Sequence, residues 1–121
     1  IAGIGLAIPD DFGGVDLPNR PAEFGIWETI DPKHLLGAHG LDVITENDAT
    51  AAAIGELQFG HGRVAQTFFY LLVNAGLGGG LVVDGHSVTG ASGRSGEIGF
   101  LPIGRVRRKP VVLQDVASLS G

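Results

Sequence analysis

Hydrophobic positions along this chain come in short runs cut by glycine and proline, and the period changes from run to run. Ile1 to Ile8 is aliphatic and glycine-bearing, stopped by Pro9 and the turn Asp10-Asp11-Phe12-Gly13-Gly14, which reads as a buried strand with close-packing glycines. Residues 15–30 hold no sustained period, and Pro18, Pro21 and Gly25 mark them as a long loop. Asp31-Pro32 pairs a capping carboxylate with proline at the first helical position, and predicts a short helix ending near Gly40. Leu41 to Thr45 then reads as a strand, and Ala49 to about Gly60 as a helix with Ala52, Ile54 and Leu57 as core contacts. His61-Gly62-Arg63 is a break, suited to a hinge or a domain boundary. Beyond it, Thr67 to Val73 is a β-branched and aromatic strand, Gly76 to Gly80 a tight turn, and Leu81-Val82-Val83 a returning strand closed by Asp84-Gly85. A strand and helix in alternation, followed by an antiparallel hairpin, make a mixed α/β segment that crosses from one layer system into another.

Composition narrows the class. With 121 residues, 44% hydrophobic and 17% charged, the chain has the size and balance of one small globular domain. It contains neither cysteine nor methionine. The first absence excludes a disulfide framework and any thiolate zinc site within these residues, and fits a reducing cytoplasm. The second, with residue 1 already in a strand-like run, leads to the expectation of an excerpt whose core is shared with further polypeptide. A net charge of −5 argues against a nucleic-acid surface, because phosphate contacts need clustered cations. The basic cluster Arg105, Arg107, Arg108 and Lys109, followed by Pro110, reads as a solvated loop. The most apolar stretch, Phe68 to Val83, is too short and glycine-rich for a bilayer, which takes about 20 apolar residues.

Three places could carry chemistry. Asn47-Asp48 sets an amide and a carboxylate where a strand gives way to a helix, and ligands of open α/β sheets sit in the crevice at the carboxyl ends of strands. Aspartate is equally a good cap for a first helical turn, so position alone leaves both readings open. Gly76-Leu77-Gly78-Gly79-Gly80 would let backbone N–H groups approach an anion, or would simply make a hairpin turn; it has no Lys-Ser/Thr and opens no helix, so it is neither a Walker loop nor a dinucleotide fingerprint. Gly96-Glu97-Ile98-Gly99 holds a carboxylate in tight backbone, suited to polyol hydroxyls or to plain solvation beside Arg94. His34, His39, His61 and His86 share no ligand spacing and read as surface or packing histidines.

Taken in order, Glu46-Asn47-Asp48-Ala49-Thr50-Ala51-Ala52-Ala53-Ile54-Gly55-Glu56, the glycine run, Asp84-Gly85, Gly90 and Gly96-Glu97-Ile98-Gly99 strongly resemble the ROK family, which comprises bacterial sugar kinases and carbohydrate-responsive transcriptional repressors. The resemblance covers nearly the whole chain and is loosest from Val15 to His39. It implies an α/β excerpt of the actin/hexokinase-like (ribonuclease H-like) two-domain fold, with residues 1–66 in the N-terminal domain and 67–121 opening the C-terminal one. It implies that Asn47 hydrogen-bonds a sugar hydroxyl, that Asp48 is the general base acting on the sugar 6-hydroxyl, and that Glu97 binds hydroxyls near the anomeric carbon. Gly76, Gly78 and Gly79 would belong to a phosphate-facing turn. Phosphoryl transfer makes sense on such a frame, since it needs positioning, charge neutralisation and one base in reach of the nucleophile.

The chain departs from the family pattern at several positions. Asp10 stands where glycine is usual after Pro9. Phe100 replaces the histidine that usually supports sugar and zinc, and a basic stretch leads straight to Leu113-Gln114-Asp115-Val116-Ala117-Ser118 without the family's cysteine cluster, so no zinc is expected. Asn74-Ala75 replaces a Gly-Thr pair of the kinases, which removes a hydroxyl contact to phosphate worth about 1.5–3 kcal/mol. The family's first phosphate loop would precede residue 1 and its adenine-binding helices would follow Gly121. Two functions follow from the resemblance. One is the sugar-sensing domain of a transcriptional regulator, binding a monosaccharide and reaching DNA only through a region outside this chain. The other is a kinase using ATP and Mg2+ to phosphorylate the 6-hydroxyl of a hexose or N-acetylhexosamine. Either would be a cytoplasmic homodimer without membrane contact.

Overall fold

A computed structural model describes residues 1–9, 29–37, 40–74, 76–91 and 95–117. The loop read at residues 15–30, and Asp10, lie almost wholly outside the described residues, as does Ala75. The chain divides into two compact units, Ile1–Asp48 and Ala49–Gly121.

Among its described residues the first unit holds a parallel pair of strands and a short helix. Strands β1 (Gly3–Ile8) and β2 (Asp42–Asn47) run in register from Gly3 opposite Asp42 to Ile8 opposite Asn47. Between them α1 (Pro32–Gly37) starts as expected, its first turn capped by Asp31, whose Oδ1 accepts the N–H groups of Lys33 and His34 at 2.9 and 3.2 Å. Its described residues run to Gly37. The buried strand expected at the start is corrected: Ile4 and Leu6 are half-buried, Ile8 alone in β1 is buried, and Gly5 and Ala7 face out. This is the alternation of a sheet covered on one face. Of the two glycines read as close-packing, Gly3 is one, since a Cβ there would stand 2.9 Å from the Asp42 carbonyl oxygen, whereas Gly5 has nothing within 4 Å.

The second unit is built on α2 and a three-stranded antiparallel sheet. Helix α2 (Asp48–Phe59) follows β2 without a connecting loop. Strands β3 (Phe68–Val73), β4 (Leu77–Val83) and β5 (His86–Val88) stand in the order β3-β4-β5, with Val73 opposite Leu77 and Val83 opposite His86. The tight turn read over Gly76 to Gly80 is corrected, for Leu77 to Gly80 belong to β4. Its glycines are there for close approach. A Cβ at Gly78 would stand 3.1 Å from the Ala49 methyl, and one at Gly80 would stand 2.5 Å from the Ala53 methyl. Ala49 and Ala53, one helical turn apart, are therefore the buried face of α2, and Leu77 and Val82 of β4 are buried as well. The expected contacts Ala52, Ile54 and Leu57 are only half-buried. An alanine run has no period strong enough to pick a face, and the bare backbone of β4 picks it instead. Asp84-Gly85, read as the close of a strand, is the β4–β5 turn, with both φ positive at 48° and 74°.

Downstream, a 3-10 turn (Ile98–Phe100) leads into the antiparallel hairpin β6 (Pro102–Val106) and β7 (Lys109–Val112), then α3 (Leu113–Ala117). The basic cluster read as a loop is this hairpin, with Arg107 and Arg108 at its tip at φ of 48° and 69°. It is solvated, as expected, because every position from Leu101 to Pro110 is exposed.

Two features of α2 yield measurable expectations. Gly55 lies in the helix interior and a Cβ there meets nothing within 4 Å. Gly55→Ala should therefore stabilise the protein by roughly 0.5–1 kcal/mol in urea unfolding, through lost freedom of the unfolded chain. At the other end, the Glu56 carboxylate accepts the His61 backbone N–H at 2.7 Å and lies 3.1 Å from His61 Nδ1. The backbone bond first, and the imidazole second, hold its pKa below the ordinary 4.5. A lowered carboxylate pKa means the contribution is complete above the ordinary value and is lost as pH falls through the lowered one. Amide exchange at His61 should be protected through neutral pH and lose that protection only in acid below the ordinary carboxylate range; unprotected exchange at neutral pH would contradict the bond.

Candidate functional site

Asn47 and Asp48 stand at the carboxyl end of β2, and the register sets Asn47 beside Ile8, the last residue of β1. The carboxyl ends of two parallel strands are thus level, the arrangement at which α/β sheets bind ligands. Asn47 closes the strand and Asp48 is the first residue of α2; both are half-buried. The Asn47 N–H is donated to Glu46 Oε1 at 2.9 Å, which fixes the backbone where strand becomes helix.

Glu97, Gly76, Gly78 and Gly79 lie in the second unit. Gly76 sits at the β3–β4 connection, where its carbonyl accepts the Asn74 N–H at 2.9 Å. Gly78 and Gly79 are extended strand, not turn. The place of a Gly79 side chain is taken by the Phe69 ring, and the Gly96 carbonyl oxygen lies 2.8 Å from it. Gly96 is held as tightly, since a Cβ on it would land on the Gly79 carbonyl oxygen. The segment carrying Glu97 therefore lies backbone to backbone on β4, opposite the face that α2 covers. Glu97 is exposed and precedes the 3-10 turn Ile98–Phe100, which its side chain does not cap. Of the glycines that sequence reasoning assigned to phosphate, Gly78 lets α2, and Gly79 the Glu97 segment, come close to one strand.

Sequence reasoning missed Gln114. From α3 its Oε1 accepts the Leu77 N–H at 3.1 Å, between Gly76 and Gly99. A lone amide after Val111-Val112-Leu113 was the available signal. Phe100, in the place of the family's usual histidine, is half-buried in the 3-10 turn. Among the described residues no group of three or more His, Cys, Asp or Glu is placed to hold a metal, and no helix is long and apolar enough to cross a membrane.

The sequence model of the ROK family matches residues 22–111. The xylose repressor of Bacillus subtilis (strain 168) is 32% identical over 108 residues, covering 85% of this chain and 27% of the repressor. A glucokinase of Halalkalibacterium halodurans is 40% identical over 63 residues, covering 52% of this chain and 19% of the kinase. Among solved structures, a ROK hexokinase from Thermus thermophilus superposes with a TM-score of 0.58 at 32% identity, over 84% of this chain and 32% of that one. A ROK family transcriptional regulator, a homolog of the E. coli MLC protein, gives 0.59 at 34% identity, over 69% and 22%. A ROK family glucokinase from Streptomyces griseus, solved with glucose and AMPPNP, gives 0.56 at 34%, over 60% and 23%. The chain spans about a fifth to a quarter of the length of the two curated relatives named.

Proposed function

The chain belongs to the ROK family and carries part of its actin/hexokinase-like α/β fold, and on that premise we propose that it is the sugar-binding core of a carbohydrate-sensing transcriptional regulator. The observation that carries this reading is the junction of β2 and α2, where an amide and a carboxylate stand at the level carboxyl ends of two parallel strands. In this reading Asn47 donates to a sugar hydroxyl, Asp48 accepts from one, and Glu97 accepts from hydroxyls near the anomeric carbon. A carboxylate accepts from hydroxyls and an amide both donates and accepts, so each of these side chains suits a polyol. Residues 1–66 and 67–121 would belong to the N- and C-terminal domains of a cytoplasmic homodimer that meets DNA through another region. Phe100 and Asn74-Ala75 favour sensing over catalysis, for they replace the family's usual histidine and the Gly-Thr pair of the kinases.

A second reading rests on Asp48 itself, a carboxylate that sensing does not require as a base. It is that of an ATP-dependent kinase for a hexose or N-acetylhexosamine, with Gly76, Gly78 and Gly79 towards the phosphates and Mg2+ neutralising them. The two part in one assay on the full-length protein: calorimetric titration with monosaccharides beside sugar-dependent ATP consumption. Binding without turnover supports the sensor, robust turnover the kinase, and neither would sink both.

A further inference from the structure

Gln114 lies where three parts of the second unit meet. Its Oε1 accepts the N–H of Leu77, the buried residue that opens β4. The same oxygen would stand 3.2 Å from a Cβ on Gly76 and 3.1 Å from one on Gly99, so both positions leave room for the amide. The Leu77 carbonyl is close to Gly99 as well, its oxygen 2.5 Å from where that Cβ would stand. Gly99 belongs to the 3-10 turn that Glu97 precedes, and this turn is closed by the Leu101 N–H on the Ile98 carbonyl at 3.0 Å. Leu101 in turn accepts the N–H of Leu113, the neighbour of Gln114, at 2.9 Å. The contacts form a closed circuit from the Glu97 turn through Leu77 and Gln114 to Leu113 and back.

We propose that Gln114 is a positioning residue for Glu97: by accepting the Leu77 N–H it fixes the seat against which Gly99 packs, and so the place of the carboxylate two residues earlier. The inference rests on the reading that Glu97 meets a sugar hydroxyl. An acceptor is what the seat needs, and an apolar side chain of equal size leaves the Leu77 N–H unmatched. The same side chain touches the glycine at the β3–β4 connection, so one amide sets the spacing between Gly76 and the Glu97 turn.

The test titrates glucose, xylose and N-acetylmannosamine into the full-length protein by calorimetry, with melting temperatures recorded for each variant. Gln114→Leu should weaken the sugar that binds by roughly tenfold, and Gln114→Glu, which keeps an acceptor oxygen, should stay within about threefold of wild type. In a Glu97→Gln background the Leu substitution should add less than about twofold, because both changes act on one contact. A loss of fold stability alone would multiply with the Glu97 change instead. Should Gln114→Leu not fold, Gln114→Asn, which withdraws the oxygen by one methylene, is read by the same criteria. Wild-type affinity in Gln114→Leu, equal weakening by Leu and Glu, or independent effects at positions 114 and 97 would overturn the proposal. Failure of the wild type to bind any of the three sugars would overturn the sugar reading itself, and this inference with it.

Discussion

Alanine at Gly96 is expected to lower the stability of the protein by about 1–3 kcal/mol or more, the cost of overpacking where the neighbour cannot yield. The added methyl would land on the Gly79 carbonyl oxygen, with the Gly79 carbonyl carbon at 2.6 Å and the Gly80 nitrogen at 3.3 Å. All three are backbone atoms of β4. They cannot move aside, because Gly79 and Gly80 are paired with Leu71 and Tyr70 of β3 and backed by Ala53 of α2. Gly5→Ala is the matched control, an added methyl with nothing within 4 Å, and should stay within about 0.5 kcal/mol of wild type. Urea unfolding of both variants decides the matter. A Gly96→Ala protein as stable as the control would mean that the Glu97 segment does not lie on β4. Because Glu97 is the next residue, the variant should also lose sugar affinity under conditions where it is still folded.

The parts of this architecture that could be read from the sequence are those fixed by local chemistry. Asp31-Pro32 announced a capped helix start because aspartate suits the cap and proline the first helical position, and the cap bonds are present. Asp84-Gly85 announced the end of a strand, and the structure makes it a two-residue hairpin turn with both φ positive. The glycine run misled for a physical reason. Glycine permits a turn, but equally permits a strand on which a helix and a second backbone press from opposite faces, and sequence does not distinguish the two. Arg107-Arg108 hid a hairpin tip, since arginine is not a residue that turn chemistry selects for positive φ. The contact face of α2 was hidden likewise, because it is decided by Gly78 and Gly80 across the layer. At the site, the strand-to-helix position of Asn47 and Asp48 was legible from the break in pattern, while Gln114 was not, since its partner Leu77 is brought to it by tertiary structure alone.

Asp48 still carries two readings, helix start and ligand contact, and one substitution separates them. Asparagine is as good a residue at a helix N-terminus as aspartate, so Asp48→Asn should change unfolding stability by no more than about 0.5 kcal/mol. It keeps size and hydrogen bonding but removes the negative charge, and with it the capacity to take a proton. Loss of a hydrogen bond to a charged group is worth about 1.5–3 kcal/mol, so sugar affinity should fall by roughly ten- to a hundredfold if Asp48 meets a hydroxyl. Were the wild-type protein a kinase, turnover should fall by about 10²–10⁴, the usual contribution of a general base. Asp48→Ala provides the contrast, because it should lose sugar affinity and also about 1 kcal/mol of stability. The pattern to look for is a fold that tolerates Asn and a ligand that does not. Sugar affinity unchanged in Asp48→Asn, with stability lost only in Asp48→Ala, would leave Asp48 as a helix cap and remove the central residue from the proposed site.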